Sequence, residues 1–192
     1  RNPTWLRLSP AENALFVQAL SSYSSTVSSA ALLEKAVDMI HSHTNMLVEQ
    51  LSEGSHSADT QARAIRALIN AQWSTGDESF RNEALHQWRL MQRKWNANFA
   101  LVDLSADSGQ TRYEYTTTEI GDLVGAFSAL IYGAAMDELQ AQFAAFFQEA
   151  VKRSRLMNSG LDQSGGAFDN DEVPGPDDAG GPFGTAPVFT GK

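Results

Sequence analysis

Ala64-Ile65-Arg66-Ala67-Leu68-Ile69-Asn70-Ala71-Gln72-Trp73 runs into a Ser74-Thr75-Gly76-Asp77 turn, and Phe80, Ala84, Trp88 and Met91 follow at helical spacing. This is a helix-turn-helix unit, and the chain writes it again. A shift of 59 positions lays Trp73 on Tyr132, Phe80 on Leu139, Ala84 on Phe143, Trp88 on Phe147 and Met91 on Ala150. A helix pair cannot bury its apolar face alone, so repeats of this length stack on one another. The stretch thus points to an all-α fold.

Working outward, Ser9-Pro10-Ala11-Glu12 carries an N-cap, a proline suited to the first helical position, and a glutamate able to close a capping box. Leu15, Phe16, Ala19, Leu20 and Tyr23 then fall on one stripe. Six serines between Ser21 and Ser29 read as a loose connector. The next helix reaches about Leu51, with Leu33, Ala36, Val37, Ile40, Leu47 and Leu51 inward. This first pair matches the other two only loosely.

Further caps mark the other helices: Ser57 or Asp59 for the third, Thr75 with Glu78 for the fourth, Thr116 with Glu119 for the fifth. The fourth helix runs to about Trp95. Between it and the fifth, Phe99 to Leu104 and Arg112 to Tyr115 look extended around Ala106-Asp107-Ser108-Gly109-Gln110, which predicts a short β-hairpin over 99–115. Gly121 and Gly125, four apart on the fifth helix, permit close approach of a neighbour. The sixth spans about Met136 to Met157, with Asp137 and Glu138 at its start, Lys152, Arg153 and Arg155 near its end, and Gly160 as its stop.

The expected architecture is three stacked antiparallel helical hairpins over residues 1–160, followed by an irregular acidic tail over 161–192. The tail is rich in Gly, Pro, Asp and Asn, and Phe168, Phe183, Val188 and Phe189 are its anchors against a partner surface. Leu33, Val37, Ile40, Leu68, Trp88, Phe127, Ile131, Phe143 and Phe147 are the expected core. Removing the ring of Trp88 or Phe147, if enclosed, would cost about 3–5 kcal/mol.

From Ala67 to Trp95, with the Thr-Gly-Asp turn, the aromatic three residues after Asp77 and Trp88 on the following helix, the segment resembles the helical hairpins of α/α-toroid proteins. That superfamily includes six-hairpin glycosidases and sugar epimerases. The resemblance covers roughly Ala58 to Met157, and the extended link from Trp95 to Val102, leading through Tyr115 into the next helix, fits it. It implies a partial toroid, since a complete one has about twice as many hairpins. It also implies carboxylates near the starts of inner helices, where Asp59, Glu119 and Asp122 stand. Glycoside hydrolysis needs two carboxyls at defined separation, one with a raised pKa. Glu119 already has a role in its capping box, so the structural reading of the Glu119/Asp122 pair is favoured.

Composition narrows the function classes. With 192 residues and 42% hydrophobic content the chain is long enough for one real core. A net charge of −9 argues against nucleic-acid binding, which requires clustered basic residues. The absence of cysteine excludes disulfides, thiolate metal sites and cysteine nucleophiles. Apolar stretches are too interrupted to span a membrane.

The start at Arg1 without a signal sequence fits a processed, extracytoplasmic (periplasmic or secreted) protein, with a cytoplasmic fragment as the alternative. His41, His43, His56 and His86 lack zinc-ligand spacing. Asp169, Asp171 and Glu172 have oxygen ligands suited to a structural calcium ion but no EF-hand pattern. No phosphate loop or Gly-x-Ser-x-Gly elbow occurs. Arg81, Arg89, Arg93 and Lys94 interleave with Trp88 and Trp95, which reads as a solvated face ahead of a polyanion surface.

Two functions follow as expectations. One is a non-catalytic helical-repeat interaction module, an accessory subunit of a larger assembly that binds other protein subunits or the rest of a longer polypeptide. The other is a fragment of a toroid carbohydrate-active enzyme. No cofactor is expected beyond that calcium ion.

Overall fold

The computed structural model describes the backbone of residues 8–105 and 111–163, with side chains through Arg153. The chain divides into two units, Arg1–Ser154 and Arg155–Lys192. The first holds the helical body. Of the second, only the helical backbone to Gln163 is described. The tail anchors, the calcium candidates Asp169, Asp171 and Glu172, and the 106–110 turn therefore lie outside the described residues.

Six α-helices and one two-stranded antiparallel sheet make up the described chain: α1 Pro10–Ser24, α2 Ala30–Ser52, α3 Ala58–Thr75, α4 Glu78–Gln92, β1 Trp95–Asn96, β2 Leu101–Val102, α5 Thr117–Ser128 and α6 Gln140–Gln163. They form the helical hairpins α1–α2, α3–α4 and α5–α6. Asn13 on α1 donates to the His43 carbonyl of α2 at 3.0 Å, and Gln50 Nε2 reaches the Leu8 carbonyl at 2.7 Å, so those two helices run antiparallel.

The first helices of the hairpins pack side by side. Gln18 Nε2 meets the Arg63 carbonyl and Ser24 Oγ meets Ser74 Oγ, so α1 and α3 run parallel. Arg63 meets Asp122 and Trp73 meets Gly133, so α3 and α5 do as well. The Arg63–Asp122 contact spans 59 residues, the same offset as the sequence repeat. Equivalent residues of stacked repeats are spatial neighbours, as the repeat reading requires.

Helix α3 lies at the centre. Ala62, Ala64, Ala67 and Ala71 are completely buried beside Ile65 and Leu68. Alanines in helix-favouring positions let α1, α4 and α5 approach closely. Around them, Phe127 of α5 lies 5.3 Å from Trp88, 5.5 Å from Phe143 and 5.7 Å from Phe146, ring centre to ring centre. Of the expected core, Ile40, Leu68, Trp88, Phe127 and Ile131 are buried.

The exceptions have local causes. Leu33 is 40% and Phe147 46% exposed, and Phe146 takes the buried place on α6. Val37 and Phe143 are half-buried. On α1 the buried stripe is Ala14, Val17 and Ser21, so Leu15, Ala19 and Tyr23 face outward, and the helix extends through the expected serine connector to Ser24.

Capping boxes at Ser9/Glu12 and Thr116/Glu119 form as expected. The Thr75/Glu78 box does not. Thr75 Oγ1 donates back to the Ala71 carbonyl, Gly76 closes α3 at φ 76°, and Asp77 caps α4 through the Ser79 N–H. Ser57 occupies the N-cap of α3 without a side-chain cap bond. Gly76→Ala places a Cβ in the left-handed region, and we expect a loss of about 1 kcal/mol in urea unfolding.

The sheet is also displaced from the expected segment. Trp95 pairs with Val102 and Asn96 with Leu101, so the ladder partner is the exit of α4, which ends at Gln92. Residues 112–115 attach by one backbone–backbone bond, Leu104 N–H to the Arg112 carbonyl, by the Arg112 N–H to Asp103 Oδ1, by Asn96 Nδ2 to the Tyr113 hydroxyl, and by Tyr115. The Tyr115 hydroxyl donates to the Val102 carbonyl at 2.6 Å and accepts from its N–H at 3.0 Å. A buried hydroxyl thus does the work of a third strand.

Between α5 and α6, Ala129–Gly133 forms a π-turn and Asp137–Leu139 a 3-10 turn. Ala135 sits between them at φ 57°. Asp137 and Glu138 therefore precede α6 rather than opening it, and α6 passes through Gly160 to Gln163, leaving the basic cluster away from its end.

Candidate functional site

The three carboxylates singled out in the sequence converge where the starts of α3 and α5 adjoin. Asp59 and Asp122 are close enough for Asp59 to push the Asp122 pKa upward, and Arg112 feels both Asp59 and Glu119. Arginines dominate their surroundings. Arg63 Nε donates to Asp122 Oδ2 at 2.6 Å, with both side chains largely buried. Arg112 Nη2 donates to Glu119 Oε1 at 2.5 Å, while Glu119 Oε2 accepts from the Thr116 N–H and hydroxyl.

Their titration follows from these contacts. Burial raises Asp122, and the Arg63 bond and charge only partly offset it. Burial would also raise Glu119, yet the donors of Thr116 and Arg112 outweigh it and hold the carboxyl below its ordinary range. A carboxylate with a depressed folded pKa adds stability above its unfolded value of about 4.3, and that stability is lost as pH falls through the lower folded value. Glu119→Gln should therefore flatten the decline in stability between about pH 5 and pH 3, measured by urea unfolding. An unchanged acid slope would remove Glu119 from the account.

One turn beyond Arg63, the face of α3 changes character. An open groove of about 590 Å³ runs between α3 and α5, from Arg66 and Gly121 to Trp73 and Tyr132. Trp73 is 69% and Tyr132 79% exposed, the two most exposed large apolar side chains among the described residues. Trp73 Nε1 donates to the Gly133 carbonyl at 3.3 Å, which fixes its ring across the top of the groove.

The glycines explain the groove's shape. A Cβ at Gly125 would stand 3.1 Å from Arg66 Cδ, so this glycine lets the arginine stem lie against α5. A Cβ at Gly133 would meet Ile69 Cγ2 at 2.5 Å, which makes it the point of closest approach to α3. Nothing stands within 4 Å of the corresponding position at Gly121.

Several of the other singled-out groups are occupied structurally. His41 faces Asp77 and Phe80, while His43 faces Asn13 and Phe16. No cluster of three or more possible metal ligands exists among the described residues. On the basic face of α4, Arg81 donates to the Ala134 carbonyl, and Lys94 to the carbonyls of His56 and Ser105. Two of the four cations thus tie turns to helices.

Sequence reasoning did not single out the groove. Trp73 and Tyr132 were visible as equivalent positions of the repeat, but periodicity assigns residues to a helix face without saying which face remains uncovered. No helix among the described residues is long and apolar enough to cross a membrane. No family model, curated protein or solved structure matches the chain.

Proposed function

We propose that the chain is a non-catalytic helical-repeat interaction module, an accessory unit of a larger extracytoplasmic assembly built on the hairpin plan of a partial α/α toroid. The observation that carries this reading is the state of the two leading carboxylates: Asp122 is held by Arg63 and Glu119 by Arg112 and its own helix cap. Glu119, held below its ordinary pKa by these donors, is a poor proton donor, and Asp122 spends an oxygen on Arg63. The rings of Trp73 and Tyr132 are the most exposed large apolar side chains among the described residues and offer a surface for contact. Stacked hairpins offer such faces to partners.

The raised pKa of Asp122 favours a second reading, a fragment of a carbohydrate-active enzyme with Asp122 as the acid.

Two measurements separate the readings. Reducing-end release is followed on a panel of oligosaccharides, and a random dodecapeptide display library is selected on the immobilised protein. We expect no turnover, and enrichment of peptides that the Trp73→Ser/Tyr132→Ser double variant does not retain. Turnover abolished by Asp122→Asn would overturn the module reading in favour of the enzyme. Absence of any enrichment that depends on the two rings would overturn it as well.

A further inference from the structure

Trp73 stands between two recesses. On one side is the α3–α5 groove; on the other is a recess of about 510 Å³ between α1 and α3, and Asn70 and Trp73 line both. We propose that this double trough receives an extended polypeptide segment carrying a carboxylate, and that Arg66 is the receiving group. The proposal rests on the interaction-module reading and names its ligand.

Charge is the first argument. The chain carries a net charge of −9, yet Arg66 is the sole charged side chain lining either recess. Asp122 feels the Arg66 charge, but its direct bond, at 2.6 Å, is to Arg63. No hydrogen bond or ion pair engages Arg66 among the described residues. Gly125 leaves room for its stem against α5, which brings the exposed guanidinium to the groove. Arginine's planar fork matches a carboxylate.

Chemistry of the lining is the second. Two exposed aromatic rings, one guanidinium, the Asn70 amide and a bank of serine hydroxyls make up its polar and aromatic content. Tryptophan, tyrosine and arginine are the anchors enriched in protein interfaces, and serine, glycine and asparagine supply adaptable polar contact in paratopes.

The test uses peptides recovered from the dodecapeptide selection, synthesised with free or amidated C-termini and with each Asp or Glu replaced by its amide. We expect enriched sequences to carry an acidic residue or to require the free terminus. Replacing that carboxylate should weaken binding about tenfold, the scale of a charge-assisted bond. Arg66→Gln should cause the same loss and abolish the difference between acid and amide peptides, with partial recovery in Arg66→Lys. Peptides enriched through Trp73 and Tyr132 but neutral, and indifferent to Arg66→Gln, would overturn this inference and leave the module reading standing. Trp73-dependent binding on an oligosaccharide array, without peptide enrichment, would overturn both.

Discussion

Phe127→Ala should remove about 3–5 kcal/mol of stability, the largest loss of any single substitution in this chain. Phe127 is completely buried and touches the rings of Trp88, Trp95, Phe143 and Phe146, which come from α4, β1 and α6. Truncation therefore opens a cavity at the meeting point of the second and third hairpins, and rings fixed by separate elements collapse into it poorly. It also forfeits two edge-to-face contacts, with Trp88 and Trp95, and the stacking on Phe146. Phe146→Ala should cost nearly as much, whereas Phe147→Ala, with its ring 46% exposed, should cost less than about 1 kcal/mol. Urea unfolding of the three variants checks the ranking, and equal losses at Phe146 and Phe147 would mean that α6 is rotated from the orientation described.

Arg63→Ala is the second large effect, about 2–4 kcal/mol near neutral pH. The Arg63 and Asp122 side chains are 20% and 15% exposed, so deleting the cation leaves a carboxylate largely shielded from water without its partner. Burial already raises the Asp122 pKa in the wild type, and losing Arg63 removes the opposing interaction. The sign follows directly. A carboxyl whose folded pKa lies above its unfolded value of about 3.9 contributes a penalty that grows as pH rises through the folded value and vanishes below the unfolded one. The variant should therefore recover toward wild type as pH falls toward about 4, and Arg63→Ala/Asp122→Asn should show no such recovery. A pH-independent loss would assign the effect to the packing of the arginine stem.

The 59-residue repeat was legible in the sequence because the inward positions of α4 and α6 keep it. Phe80 and Leu139 are both buried, as are Met91 and Ala150, and Gln87 and Phe146. The pair that misleads is Trp88 and Phe147. Trp88 is buried because α5 lies against it and presents Phe127, whereas Phe147 has no equivalent helix over it among the described residues. Burial at that position depends on the neighbouring repeat, which no window of local sequence contains.

The same holds at Thr75. Its side chain could cap α4 or back-bond within α3, and the left-handed Gly76 decides for the second. Of the candidate site, the sequence located Asp59, Glu119 and Asp122 but not the arginines that bind two of them. Arg63 looks like an ordinary surface cation until the stack sets α3 against α5, and Arg112 until the segment before α5 folds back on Glu119.

The π-turn at Ala129–Gly133 separates what can change by chemistry from what can change only by length. Within it Leu130 and Ile131 face the core while Tyr132 faces outward, so one widened turn serves both the interior and the surface. A π-turn holds one residue more than an α-helical path requires. Each residue of helix turns the chain by about 100°, so a single deletion there would change which of Leu130, Ile131 and Tyr132 face inward. Substitutions at Tyr132 alter only what the surface offers. Point changes can thus retune this face at Tyr132, while Leu130, Ile131 and Gly133 are held by the packing behind it.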